Sequence, residues 1–115
     1  MEAKLTKDFI RGAVAAETES AKEKWGETYH SEHEAWAVLN EEIEEANEAL
    51  IKIGSISHVL WNFVRKAEKQ DGDIKYIRDN LHYLQDHAQE LATEAVQIAA
   101  VTQKYIDTME THNDA

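Results

Sequence analysis

Apolar residues recur along most of the chain at alternating steps of three and four. That is the period of a helix with one buried face. Four such stretches can be read. The first starts with Thr6 as N-cap, with Leu5 and Ile10 placed to staple the first turn, and runs to about Trp25, where Gly26 supplies the left-handed residue that ends it. Ser31-Glu32-His33-Glu34 is a capping box that opens the second. Its stripe is Trp36, Leu39, Ile43, Ala46, Leu50 and Ile53, and Gly54 stops it. Ser55 or Ser57 caps the third, whose apolar face is Ile56, Val59, Leu60, Phe63 and Ala67. Asp71-Gly72-Asp73 is a turn. Beyond it the stripe Ile74, Ile77, Leu81, Leu84, Ala88, Leu91, Ala95, Ile98, Thr102, Tyr105 and Met109 never breaks. It predicts either one helix of roughly 50 Å or two that meet near His87. The tail from Thr111 to Ala115 is expected to fray. The pattern predicts an all-α fold, a four-helix bundle in a single domain over residues 1–115. A long last helix would overhang a compact monomer, so a homodimer or homotetramer is expected.

Within this frame the acidic residues fall into two kinds. Successive helical residues turn by about 100°. Glu41, Glu44 and Glu48 therefore lie on the solvated side of the second helix. Glu42 sits at the margin of the apolar arc, flanked by Ala35, Val38, Ala46 and Ala49, with Glu45 one step around on the same side. On the last helix Glu94 falls inside the apolar arc, with Gln97 as its i+3 neighbour. Two carboxylates about 5 Å apart repel by roughly 3 kcal/mol at an effective dielectric near 20. A half-buried pair needs a proton, a basic partner or a metal ion. Mg²⁺ takes oxygen ligands and keeps several waters, so an incomplete protein shell suits it, and two such ions can clamp a phosphate.

Charge and composition narrow the partners. The chain has 12 basic and 23 acidic residues, for a formal charge of −11, and that field repels a nucleic-acid polymer. A small anionic substrate remains admissible if metal ions bridge it to the protein. No apolar run approaches the ~18 residues of a membrane span. There is no cysteine, which excludes disulfides and thiolate metal sites. A soluble, cytoplasmic protein is expected.

The runs Glu41-Glu42-Ile43-Glu44-Glu45 and Glu94-Ala95-Val96-Gln97 resemble the Glu-Glu-x-x-Glu and Glu-x-x-Asp motifs of the MazG-like nucleoside triphosphate pyrophosphohydrolases, an all-α family. Their flanks are similar to small phage and bacterial members: Lys24-Trp25-Gly26 and His33-Glu34-Ala35-Trp36-Ala37-Val38-Leu39 before the first, Ile98-Ala99-Ala100 and Lys104-Tyr105-Ile106 after the second. The resemblance covers residues 20–53 and 88–107. It implies Mg²⁺ (or Mn²⁺) held by Glu42, Glu45 and Glu94, with Glu41 as a ligand or supporting base. It implies hydrolysis of a (deoxy)nucleoside triphosphate between the α and β phosphates, giving monophosphate and pyrophosphate. Gln97 stands where the family has aspartate; its amide oxygen can ligate but brings no charge. The interval between the motifs is longer than in the family and holds the third predicted helix.

Lys24, Lys104 and Trp25 are the candidates for the triphosphate and the base; Lys22 is another, and Trp25 equally suits the core. Trp36 is expected in the core, Trp61 and Phe63 in the core or an interface, and His30 and His33 at the surface. Two rivals remain: a non-catalytic helical oligomer built on the long stripe, and an oxygen-ligated di-iron bundle.

Overall fold

The computed structural model describes residues 2–114, with side chains placed for residues 4–111. Among them the chain is all-helical: α1 (Glu2–Trp25), α2 (Glu32–Val64) and α3 (Asp71–Asp114). Three helices replace the four expected, because α2 runs through Gly54 without interruption. A glycine inside a helix costs about 1 kcal/mol against alanine but does not end it unless a loop signal follows. Here the apolar period continues in phase from Leu50 and Ile53 to Leu60 and Val64. The turn lies later, at residues 65–70, and Asp71 and Gly72 already belong to α3. Asp73 explains why. Its carboxylate accepts from the Gln70 backbone N–H at 3.1 Å, so the residue read as part of a turn caps the helix instead. The Lys66 ammonium donates to the same carboxylate at 2.9 Å. Its hydrogen bond is the first cause that holds the Asp73 carboxyl below the usual range.

α3 is one helix of 44 residues, about 66 Å long, with no break near His87. It stays helical to Asp114, so fraying does not begin at Thr111; Ala115 lies outside the described residues. At the other end α1 begins at Glu2, which places Thr6 inside the helix rather than at its cap, and Leu5 and Ile10 are exposed. Two boundaries follow the sequence. Gly26 has φ +97° and donates its N–H to the Lys22 carbonyl at 2.9 Å. Ser31 Oγ accepts the Glu34 N–H at 3.1 Å. Glu34 reaches back one residue further than a standard box, accepting from the His30 N–H at 3.3 Å.

The chain divides into two compact units, residues 1–44 with 94–115, and residues 45–93. The boundaries fall inside α2 and α3, which run through them unbroken. The first unit packs α1 against the start of α2 and the end of α3 around Thr18, Tyr29, Ala35, Ala100, Lys104 and Thr108, all buried. The second is a helical hairpin. Ala49 is its buried apolar residue, and Ile53, Ile56, Leu60, Phe63, Ile77, Leu84 and Leu91 are half-buried. Phe63 stacks on Tyr76 with ring centroids 4.7 Å apart.

α2 is rolled relative to the face its large apolar residues suggest. Ala35 and Ala49, each 1 % exposed, mark its buried line, while Trp36 is 61 % exposed and Ile43 and Leu50 also face outward. Small side chains permit the closest approach of helix axes. Here alanines occupy the contact and the large residues are left on its flank, which corrects the expectation that Trp36 is core. Trp61 is exposed as well. No helix among the described residues is long and apolar enough to cross a membrane.

Candidate functional site

Residues 35, 42 and 49 are spaced by seven, and a helix returns to nearly the same angle after seven residues. Glu42 therefore lies on the line of Ala35 and Ala49 and is turned inward, half-buried, while Glu41, Glu44 and Glu48 are exposed. On α3, Glu94 is half-buried on the inward side, and its Oε2 is shut off from solvent. One oxygen each of Glu42, Glu45 and Glu94 lie within 4.8 Å of one another, with Glu45 the exposed member. Acidic residues from the second and third helices thus converge. The donors are all carboxylate oxygens, the chemistry a hard divalent cation takes. No histidine joins the group, which suits Mg²⁺ or Mn²⁺ better than metals that favour nitrogen.

Glu42 also borders a pocket of about 480 Å³, of the size that holds small ligands. Its wall on α1 is Glu17, Ser20, Ala21, Lys24 and Trp25; α2 contributes Glu34, Val38 and Glu42; α3 contributes Gln97, Val101 and Lys104, and Tyr29 and His30 close one end. Gln97 stands one turn beyond Glu94, so its amide opens on the same space. Of the residues singled out in sequence, Glu42, Gln97, Lys24, Trp25 and Lys104 come together here. Glu41 is exposed and belongs neither to the pocket wall nor to the carboxylate group. Trp25, 76 % exposed, is a surface ring at the pocket edge rather than a core residue.

Lys104 is 3 % exposed, with its Nζ 4.3 Å from the centroid of the Tyr29 ring. A cation over an aromatic face is stabilised by the ring quadrupole. Tyr29 is itself buried, and its N–H donates to Thr108 Oγ1 at 3.0 Å, while that hydroxyl donates to the Lys104 carbonyl at 2.8 Å. Burial first, then the charges of Glu34 and Glu42, push the Tyr29 phenol above its usual range. Lys22 donates to Asp107 at 2.7 Å and ties α1 to α3. That bond holds the Lys22 ammonium above, and the Asp107 carboxyl below, their ordinary values. Lys22 is thereby committed to a structural pair and does not line the Glu42 pocket.

Sequence reasoning passed over Glu17, Ser20, Glu34 and Val101 as pocket residues and placed Val38 only as a flank of Glu42. A signal was present. Residues 17, 20, 21 and 24 share one face of α1, and 34, 38 and 42 one face of α2, each at helical spacing. His30, its ring 3.2 Å from Glu34, is at the surface yet borders the pocket. Compared with known proteins, the chain matches no family model, no curated protein and no solved structure at a significant level.

Proposed function

We propose that the protein is a Mg²⁺-dependent nucleotide pyrophosphohydrolase of the MazG-like type. One observation carries the reading. Glu42 is at once a member of a three-carboxylate group and part of the wall of a pocket of about 480 Å³ that contains two lysines. An acidic group alone attracts a cation. An acidic group beside Lys24 and Lys104 suits a ligand that brings both cations and phosphates.

In this reading Glu42, Glu45 and Glu94 hold the metal, and Gln97 adds a neutral oxygen from the next turn. Bound Mg²⁺ supplies charge neutralisation at the phosphates and makes water a better nucleophile. The chain does the rest. Lys104, fixed over Tyr29, holds the phosphate chain by charge; Lys24 meets it from α1. Trp25 offers an exposed ring for the base. Water adds to the α-phosphorus, the bond to the bridging β-oxygen breaks, and the proton passes to a carboxylate of the group. Glu41, facing solvent, adds negative charge beside the site without entering it.

The test incubates the purified protein with a panel of nucleoside and deoxynucleoside triphosphates and Mg²⁺, and measures pyrophosphate. Release from at least one, lost in Glu42→Gln and reduced in Lys104→Met, is expected. No release from any of them rejects the enzymatic reading and leaves the non-catalytic helical oligomer, for which Gln97 in place of a charged ligand speaks.

A further inference from the structure

Three carboxylates, those of Glu17, Glu34 and Glu42, line the same pocket as Lys104. Yet among the described residues no ion pair reaches the Lys104 ammonium. The residue is 3 % exposed. A buried charge is costly without a partner, and a lysine stem is long and flexible enough to find one. This lysine lies instead on an aromatic face, its Nζ 4.3 Å from the centroid of the Tyr29 ring.

The ring is fixed through the very residue whose ammonium it meets. The Tyr29 N–H donates to Thr108 Oγ1 at 3.0 Å, and that hydroxyl donates to the Lys104 carbonyl at 2.8 Å. Tyr29 lies in the connection between α1 and α2, just after Gly26 turns the chain at φ +97°. Its side chain is buried, so the ring cannot swing away without opening the unit. The ring thus fills the place beside the ammonium that a carboxylate would otherwise take. The two partners differ in what they leave over. A carboxylate neutralises the charge and accepts one of the N–H donors. A ring face attracts the cation through its quadrupole and leaves the net charge and all three donors to a ligand.

The geometry points to Tyr29 as a positioning residue: its ring, set by Thr108, holds the Lys104 ammonium off the carboxylates of the pocket and presents it to an anionic ligand. The inference deepens the reading of this pocket as a phosphate site and rests on it. It accounts for how one small pocket keeps acidic groups for a cation and a buried lysine for an anion without the two neutralising each other. The carboxylates are within reach of the ring, since the charges of Glu34 and Glu42 act on the Tyr29 phenol. With the ring gone, Lys104 turns to one of them. The anion then loses its cation, and a lysine on Glu42 competes with Mg²⁺ for that carboxylate. The ring face carries this role and the Tyr29 hydroxyl has no part in it.

Calorimetric titration of the full chain with inorganic triphosphate in Mg²⁺ tests this. Tyr29→Leu should weaken binding by about 10- to 30-fold, the size of a desolvated cation–π contact. Tyr29→Phe, which keeps the ring, should restore it to within about twofold. In a Lys104→Met background, Tyr29→Leu should bring no further loss, which separates positioning from general damage to the unit. In the nucleotide assay the Tyr29→Leu defect should fall on KM, with kcat little changed. Phenylalanines carrying one to three ring fluorines at position 29 keep the shape and drain the negative face, so affinity should fall stepwise along that series. This second readout decides the matter if Tyr29→Leu lowers helicity by circular dichroism. Undiminished binding in a folded Tyr29→Leu variant, an equal loss with methionine at 104, or a flat fluorine series overturns the proposal. So does a wild type that binds no triphosphate. A wild type that binds triphosphate with this dependence on position 29 but releases pyrophosphate from no nucleotide rejects the enzymatic reading and upholds the positioning role. One that hydrolyses nucleotides equally well with leucine at 29 does the reverse.

Discussion

Replacing Glu42 by glutamine keeps the shape of the side chain and removes one charge from the carboxylate group. Oxygens of Glu42, Glu45 and Glu94 lie within 4.8 Å of one another. At an effective dielectric near 20, each charged pair at that distance costs about 3 kcal/mol. Glu45 is exposed, so solvent screens much of its share, and a net relief of about 1 kcal/mol is the reasonable figure. For a domain of this length that raises the melting temperature by about 4 °C. Mg²⁺ should act unequally on the two proteins. In the wild type, ion at about a hundredfold excess over its dissociation constant adds about 2.7 kcal/mol. In Glu42→Gln that gain should largely vanish. The assay is a thermal melt of both proteins, in chelator and over a Mg²⁺ series. Glu42→Gln should be the more stable in chelator and the less stable in excess Mg²⁺, so the two curves cross. If Glu42→Gln melts below the wild type in chelator, or if Mg²⁺ stabilises both equally, the three carboxylates are not a repelling group that a cation relieves.

Two further outcomes follow from the first unit. Thr108→Val removes the acceptor of the buried Tyr29 N–H and should cost about 1–3 kcal/mol in a denaturant melt, with faster hydrogen exchange at that amide; unchanged stability and exchange would mean the bond contributes nothing. The Lys22–Asp107 pair, largely shielded from solvent, should contribute about 1–2 kcal/mol, measured as wild type minus Asp107→Asn across pH. The Asp107 carboxyl is held below its ordinary value of 3.8, so its contribution is full above that pH and is lost as pH falls through the lower folded value. Lys22 is raised above 10.5, so its contribution is full below that pH and is lost as pH rises through the higher folded value. A difference that stays flat at both extremes would show that the pair is not coupled to folding.

Much of the helical content could be read from the sequence because the apolar period is strong, and Gly26 and Ser31 end and open helices by local chemistry alone. Gly54 and Asp71-Gly72 misled for a shared reason. A glycine breaks a helix only where neighbouring groups reward the break. At Gly54 none do, and at Gly72 the Asp73 carboxylate rewards helix initiation instead. Trp36 misled because size was taken as the guide to burial, whereas the contact line of α2 is set by the small residues Ala35 and Ala49. The same reasoning applied to Glu42 succeeded in placing it at the inward margin, since its angle follows from those alanines. Glu94 and its approach to Glu42 and Glu45 could be suspected from the pattern, but the distance could not. It depends on which faces of α2 and α3 meet, and periodicity within one helix does not fix that. On α1, Lys24 and Trp25 were singled out, but Glu17, Ser20 and Ala21 were missed because they are chemically ordinary and gain meaning only from what stands opposite.

Because the unit that holds Glu42 and Glu94 joins residues 1–44 with 94–115, it cannot form until the second of these stretches has been made. The Tyr29–Thr108 bond spans 79 positions and the Lys22–Asp107 bond 85. The hairpin's stretch of chain, residues 45–93, is made whole before those partners exist. A chain released short of residue 104 holds the whole hairpin, with Leu50, Trp61 and Leu81 exposed, yet lacks the Lys104 of the pocket wall. The exposed apolar side chains of the hairpin are thus made before the pocket wall is complete.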